Sequence, residues 1–462
     1  MMEKLLTLEE ILSFDRETNR SLHREFVNPG LARLLSLLDF DKNFVKAQGA
    51  YIWDDKGNRY TDFLGGYGAL NLGHNHPDII SAIEKVKDRP NILQASLNKL
   101  SAGLAHNLAM ISPKGLKHTF FCNSGAEAVE SALKLARIST GRKVFVYCTN
   151  SFHGKTFGAL SVTGREKYRK PFDPLIQDVR EIPFGDISAL ESALRPRDVA
   201  GFIVEPIQGE GGVIVPPDGY LRSARELCSK YGTLLIVDEI QTGFGRTGYM
   251  FACQREEVTP DIMCLAKSLG GGIMPIGATI STDEVWEKGY GGLDRCLLHT
   301  STFGGNSWAM SAGISTIDVI VKENLPEQAK VKGEYFLNKL LNLKEKYKII
   351  KDVRGRGLMI GLEFYQPEGG ILDKITGGGV SKITSEYLGS LVAGELLNRY
   401  HIITAYTLNN PNVIRLEPPL IISREDLDRF VDAMDDLLRS HPTITRIALA
   451  SGKTILGSIF KR

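Results

Sequence analysis

Leu234-Leu235-Ile236-Val237-Asp238 is an unbroken apolar run closed by a single carboxylate. A strand covered on both faces needs such a run, because neither side of it meets water. Working outward, the run is one of a series. Apolar runs at 119–122, 144–148, 202–204, 234–237, 262–265 and 276–280 alternate with helical patterns such as 126–137 and 221–231. Strand and helix in alternation predict an α/β fold with a mostly parallel sheet covered on both faces. In such sheets ligands bind beyond the carboxyl ends of the strands, so the residues just past each run are the ones to inspect.

The chain around this region is long enough for a large core. It has 462 residues, 43% of them hydrophobic and 24% charged. Its 56 basic and 54 acidic residues leave a formal charge of +2, which gives no reason to expect nucleic acid or an anionic membrane as partner. The amino terminus has acidic residues where a secretory signal needs an apolar stretch, and no run approaches the ~20 residues of a membrane span. The six cysteines have no short paired spacing, so buried free thiols in a reducing cytoplasm are expected, and no metal site. Residues 1–40 read as helical, interrupted at Pro29-Gly30, and 49–60 as a hairpin turning at Lys56-Gly57-Asn58. The expected division is an N-terminal segment, 1–75, packing with a small domain; a large domain, 76–325; and a small α+β domain, 326–462. A strand is expected at 358–364 and a glycine-rich loop at 369–379. The apolar, basic tail after Pro442 has no assigned role.

Four clusters fall at strand ends. Asn123-Ser124-Gly125-Ala126-Glu127 puts small residues at a helix start, where backbone N–H groups and partial positive charge suit a phosphate. The alternative is a plain helix cap by Ser124. Asp238, at the end of a buried strand, needs a partner to stay charged: a protonated ring nitrogen, or a structural ion pair. Lys267 follows Ile262-Met263-Cys264-Leu265-Ala266, where desolvation would free its amine for Schiff-base chemistry. The alternative is a surface lysine whose stem lies along apolar surface. Ser151-Phe152-His153-Gly154-Lys155 offers an aromatic face for a flat cofactor, or a core Phe152 and a supporting His153. Taken together, the four clusters specify one cofactor, pyridoxal 5'-phosphate.

The run from Leu234 through Asp238-Glu239-Ile240-Gln241-Thr242-Gly243-Phe244-Gly245-Arg246-Thr247-Gly248, and on to Ala266-Lys267-Ser268, resembles the long signature of the class III aminotransferases. The resemblance covers roughly 25 to 440. It implies fold type I of the pyridoxal-phosphate enzymes, with a seven-stranded sheet in the large domain. It implies that Lys267 carries the cofactor and moves the proton, that Asp238 pairs with the ring nitrogen, and that Gln241 contacts the ring hydroxyl. Ser124, Gly125 and Ala126 would bind phosphate, Phe152 would stack on the ring, and His153 would support the site. Thr302 would reach the phosphate of a neighbouring subunit, which makes a homodimer with shared active sites.

Substrate expectations follow from the same resemblance. Arg415 would clamp the α-carboxylate of 2-oxoglutarate or glutamate, and Glu210 would neutralise Arg415 when a substrate lacks that group. Tyr67 and Lys155 complete the expected substrate contacts. Val27-Asn28-Pro29-Gly30, Met274-Pro275-Ile276-Gly277 and Thr407-Leu408-Asn409-Asn410 resemble the putrescine-type branch of the family. Lys155 stands where ornithine and acetylornithine enzymes usually carry arginine, which tilts the reading toward amines without a carboxylate. Ser307-Trp308 and the insertion around 369–382 depart from the family pattern, so Trp308 is expected to reshape the pocket or the dimer seam. The expected reaction moves the terminal amino group of a diamine, putrescine first, to 2-oxoglutarate, giving 4-aminobutanal and glutamate. Its rivals are another donor (cadaverine, ornithine, 4-aminobutyrate or a secondary-metabolism amine), a mutase or racemase on the same fold, and a non-catalytic binding protein.

Overall fold

The computed structural model describes residues 5–365 and 379–441. The tail after Pro442 lies outside the described residues, as does the insertion around 369–382 up to the start of the helix Gly379–Tyr400. The N-terminal helical reading resolves into short pieces, Leu8–Leu12, Arg16–Leu22, a π turn His23–Val27, and Pro29–Leu37. Pro29 starts the last of these instead of only interrupting the pattern. Asn28 Oδ1 accepts the Leu31 N–H at 3.0 Å, and the first turn is where proline's missing N–H costs nothing. The strands β1 (Phe44–Gln48), β2 (Tyr51–Asp54) and β3 (Arg59–Asp62) follow as an antiparallel ribbon. Its second turn is the expected one, with Gly57 at φ +79°.

The central sheet has seven strands: β4 (Leu116–Cys122), β5 (Val144–Cys148), β6 (Val179–Ile182), β7 (Val199–Val204), β8 (Leu234–Asp238), β9 (Ile262–Leu265) and β10 (Gly277–Thr282). Their spatial order is β4-β10-β9-β8-β7-β5-β6. Neighbours run parallel except at β10, which is antiparallel to both β4 and β9. β7 is buried along its whole length and β8 from Leu235 to Asp238, as their unbroken apolar runs predict. β6 is the strand the apolar pattern does not reveal. It is an edge strand whose Arg180 pairs with Asp198 and whose Glu181 accepts from the Tyr147 hydroxyl, so half of it is polar.

Beyond the large sheet, β11 (Ile350–Arg356), β12 (Met359–Phe364), β13 (Ile402–Ile403), β14 (Ala405–Tyr406) and β15 (Val413–Leu416) complete the strands. β11, β12, β15 and β14 form a four-stranded antiparallel sheet in that order. β13 instead pairs in parallel with β3, so one sheet joins the start of the chain to its last third. Phe63, just after β3, lies with its ring centroid 4.8 Å from Phe430 and 5.9 Å from Phe336, continuing the joint into the core. Of the six cysteines five are buried and Cys296 is exposed, all unpaired. Among the described residues no helix is long and apolar enough to cross a membrane.

Candidate active site

β8 and β9 are neighbours, with Asp238 opposite Cys264. That register brings the carboxylate at one strand end beside the chain that turns into Lys267 at the other. Both line a cavity of about 580 Å³, a usual size for a cofactor site. Its wall also includes Ser124, Gly125, Ala126, Phe152, His153 and Gln241. The strand-end clusters, spread over more than a hundred residues of sequence, therefore meet in one place.

The anion end is built by β4 and the helix Gly125–Thr140. Ser124 is the helix cap, its hydroxyl accepting the Glu127 N–H at 3.2 Å. The cap and the phosphate cradle are thus compatible readings: the side chain faces the helix, while the first N–H groups of the helix have no partner within it. Gly277 of β10 stands opposite Cys122, and a Cβ there would lie 2.3 Å from the Ser124 carbonyl oxygen. This close approach fixes the turn.

Asp238 is buried and held at both oxygens. Oδ1 accepts the Ile240 N–H at 3.1 Å, and Oδ2 lies 2.7 Å from His153 Nδ1. With Asp238 ionised, Nδ1 carries the hydrogen and His153 holds the carboxylate in place. His153 Nε2 is buried and has no hydrogen-bond partner. Glu205 completes this group. Its oxygens accept from the Phe152 and Gly209 N–H groups at 2.9 and 3.0 Å, and burial pushes its carboxyl up to about 7. Glu205 closes the apolar run of β7 as Asp238 closes that of β8, and carries no expected role in the sequence reading.

Lys267 opens a short 3-10 turn, Lys267–Gly270, with φ +47°. A lysine in the left-handed region is strained, and such strain gathers at functional sites. Gly271, at φ +63°, lets the following chain press against Ile79 and Thr316, where a Cβ would fall 2.1 Å from Ile79 Cδ1. The lysine keeps some accessible surface because it lines the cavity, but protein surrounds its amine. Burial lowers the amine's pKa below the ordinary lysine value, against the pull of Glu417 and Glu210. It is therefore not a surface lysine with its stem along apolar surface.

Beside the cavity lies a buried charge cluster. Arg415, fully buried on β15, pairs with Glu210 through Nη2. Its Nε and Nη1 are buried without a hydrogen-bond partner, the mark of a guanidinium ready for a further acceptor. Burial opposes ionisation of Glu210, yet the Arg415 pair and the Leu408 N–H hold its carboxyl below the ordinary value. Tyr67, at φ +60°, lies with its ring 5.2 Å from the Arg415 guanidinium carbon. Gln241 Nε2 donates to both oxygens of Glu417 at 2.9 Å. The resemblance gives that side chain a ring hydroxyl as partner; here its amide nitrogen is engaged on the protein.

Lys155, Thr302 and Trp308 stand apart from both the cavity wall and the charge cluster. Lys155 Nζ sits 5.0 Å from the centre of the Tyr168 ring. The Thr302 carbonyl accepts from Gln94 Nε2 at 2.6 Å, and the residue lines a separate surface depression with Leu97 and Asn98. Trp308 lies in the first turn of the helix Ser307–Lys322, its N–H donating to Asn91 Oδ1 at 3.2 Å.

The fold is that of aminotransferases of pyridoxal-phosphate fold type I. More narrowly, the class III aminotransferase profile matches residues 39–438, and the chain belongs to that family. An ornithine aminotransferase from Toxoplasma gondii ME49 is similar at 32% identity, over 97% of this chain and 100% of that one, with a TM-score of 0.81. An acetylornithine aminotransferase from Elizabethkingia anophelis is 32% identical over 86% of this chain and 93% of that one, with a TM-score of 0.70. A PLP-bound amine transaminase from an uncultivated Pseudomonas species is 29% identical over 85% and 94%, with a TM-score of 0.76. Enzymes of this class work with pyridoxal 5'-phosphate. The cavity fits that group: a helix start for the phosphate, a supported carboxylate for the ring nitrogen, and a desolvated amine in the same wall.

Proposed function

We propose that the protein is an ω-aminotransferase that moves the terminal amino group of a diamine, putrescine first, to 2-oxoglutarate, giving 4-aminobutanal and glutamate. The observation that carries this reading is the buried Glu210–Arg415 pair beside Lys267. Closed, the pair presents no net charge to a donor without an α-carboxylate. With Glu210 withdrawn, Arg415 offers its free N–H groups to the carboxylate of 2-oxoglutarate. Lys155, at a position where an arginine would clamp a second carboxylate, weakens the case for amino-acid donors.

When bound, pyridoxal phosphate supplies an aldehyde that takes up the amine and a pyridinium ring that absorbs the electron pair left by the departing proton. The chain does the rest. Gly125 and Ala126 hold the phosphate through backbone N–H groups. Asp238, kept in place by His153, holds the proton on the ring nitrogen. Phe152, in the cavity wall, would lie against the ring. Lys267 Nζ would take the proton from the donor's aminated carbon and deliver it to the carbon that came from the cofactor's aldehyde. Thr302, on a surface loop, serves the partner protomer of a homodimer.

Ornithine is the second reading, favoured by the similarity to the Toxoplasma gondii enzyme. One experiment separates them: putrescine, cadaverine, ornithine and 4-aminobutyrate are each supplied with 2-oxoglutarate, and glutamate formation is measured. Putrescine is expected to give the highest kcat/KM. A higher value for ornithine would reverse the order, and no glutamate from any donor would overturn 2-oxoglutarate as the acceptor for these amines.

A further inference from the structure

Arg415 has a second carboxylate that the Glu210 pair does not explain. Glu417 follows it by two residues, just past the end of β15. Glu417 is fully buried, and its Oε2 lies 3.7 Å from Arg415 Nη1, while Glu210 holds Nη2. The two acids differ in how they are held. Glu210 comes from the loop after β7, where Gly209, Gly211 and Gly212 flank it. Glu417 is fixed from several sides. Gln241 donates to both its oxygens at 2.9 Å, and its own N–H donates to the Phe63 carbonyl at 2.8 Å. Glu210 is held by Arg415 and by the Leu408 N–H at 3.0 Å, both on its Oε2, so of the two acids it is the one a carboxylate arriving at Arg415 would displace.

We propose that Glu417 is a specificity-determining residue: a fixed counter-charge that keeps Arg415 from ever presenting its full positive charge, and so biases the site toward donors without an α-carboxylate. A like charge this close to the clamp opposes every incoming carboxylate in a buried site where screening is weak. The acceptor, with its two carboxylates, still binds, but less tightly than Arg415 alone would allow. The same charge favours a cation nearby, and Glu417 is the strongest electrostatic influence holding the proton on Lys267. This inference rests on Arg415 being the carboxylate clamp; it does not depend on which diamine is the donor.

The test uses the cofactor-loaded enzyme and glutarate, an unreactive dicarboxylate, with binding read from the change in the visible absorbance band. Glu417→Gln and Glu417→Ala are expected to bind glutarate about tenfold tighter or more. Glu417→Asp, which keeps the charge, is expected to stay near the unmodified enzyme. The ornithine-to-putrescine ratio of kcat/KM is expected to rise by a similar factor in the neutral variants alone. Unchanged or weaker glutarate binding in the neutral variant that folds, with binding lost in Arg415→Ala, overturns this proposal alone. An Arg415→Ala enzyme that binds glutarate normally overturns the clamp as well.

Discussion

The amine of Lys267 is pulled two ways. Burial favours its neutral form, while Glu417 and Glu210 favour the charged one, and burial prevails. This has a sign that can be measured on the cofactor-free protein. The folded pKa lies below the unfolded value of about 10.4. Between the two the unfolded chain binds more protons, so stability rises with pH. The contribution is present above the unfolded value and is lost as pH falls through the folded one. Lys267→Met is therefore expected to raise the melting temperature of the cofactor-free protein at pH 7 and to flatten its rise toward pH 10. The same change is expected to lower kcat by a factor on the order of 10²–10⁴ or more, since the proton carrier is gone. Thermal scans at the two pH values check the first part, and a variant that melts lower at pH 7 with an unchanged slope would refute it. The site is thus a place where stability is given up for chemistry.

At the scale of elements, the cradle depends on one contact between β10 and the turn after β4. Gly277→Ala would place a Cβ 2.3 Å from the Ser124 carbonyl and 2.7 Å from Cys122 Sγ. The turn must shift, at a cost of about 1–3 kcal/mol for overpacking. Weaker cofactor retention on dialysis is expected with a fold that is otherwise kept, and equilibrium dialysis together with a thermal scan reads both. Two strands of this sheet were legible because they lie in its buried interior: residues 144–148 and 262–265 are continuous apolar runs, and they are β5 and β9 with the same bounds. The limits of legibility have physical causes. β6 is polar on one side because it is an edge. The two-residue strands β13 and β14 are too short to show a period. Asp238 and Lys267 stood out as polar residues after apolar runs. Glu205 stood in the same position after β7, yet its part emerges only when His153 and Asp238 are seen beside it. Glu417 could not be found from a run at all, because its partner Gln241 is far away in sequence.

For the whole molecule, the apolar surface left uncovered is the telling quantity. Leu97 is 99% exposed and Leu293 97%, with Leu297 and Phe303 also open. The loop bearing Leu97 is tied to the one bearing Thr302: Gln94 reaches the Thr302 carbonyl, and Asn98 reaches that of Gly305 at 2.9 Å. Exposed leucines on a segment bonded to an expected partner-reaching threonine fit a protomer surface that a second copy covers. A dimer is expected in solution. Leu97→Asp is expected to shift the mass measured by light scattering toward the monomer and to loosen the cofactor, because Thr302 would no longer be delivered to the other protomer. A variant that remains dimeric would place the contact elsewhere.

The pairing of β13 with β3 also orders events during synthesis. Domains generally fold as the amino-terminal part emerges first. The seven-stranded sheet is complete in sequence by Thr282, so the residues that face the cofactor can be in place early. The ribbon that begins the chain must wait for Ile402–Ile403 before its sheet is closed, and Arg415 and Glu417 arrive later still. A growing chain would acquire the means to hold its cofactor before the means to choose its substrate, so that discrimination is the last property the ribosome delivers.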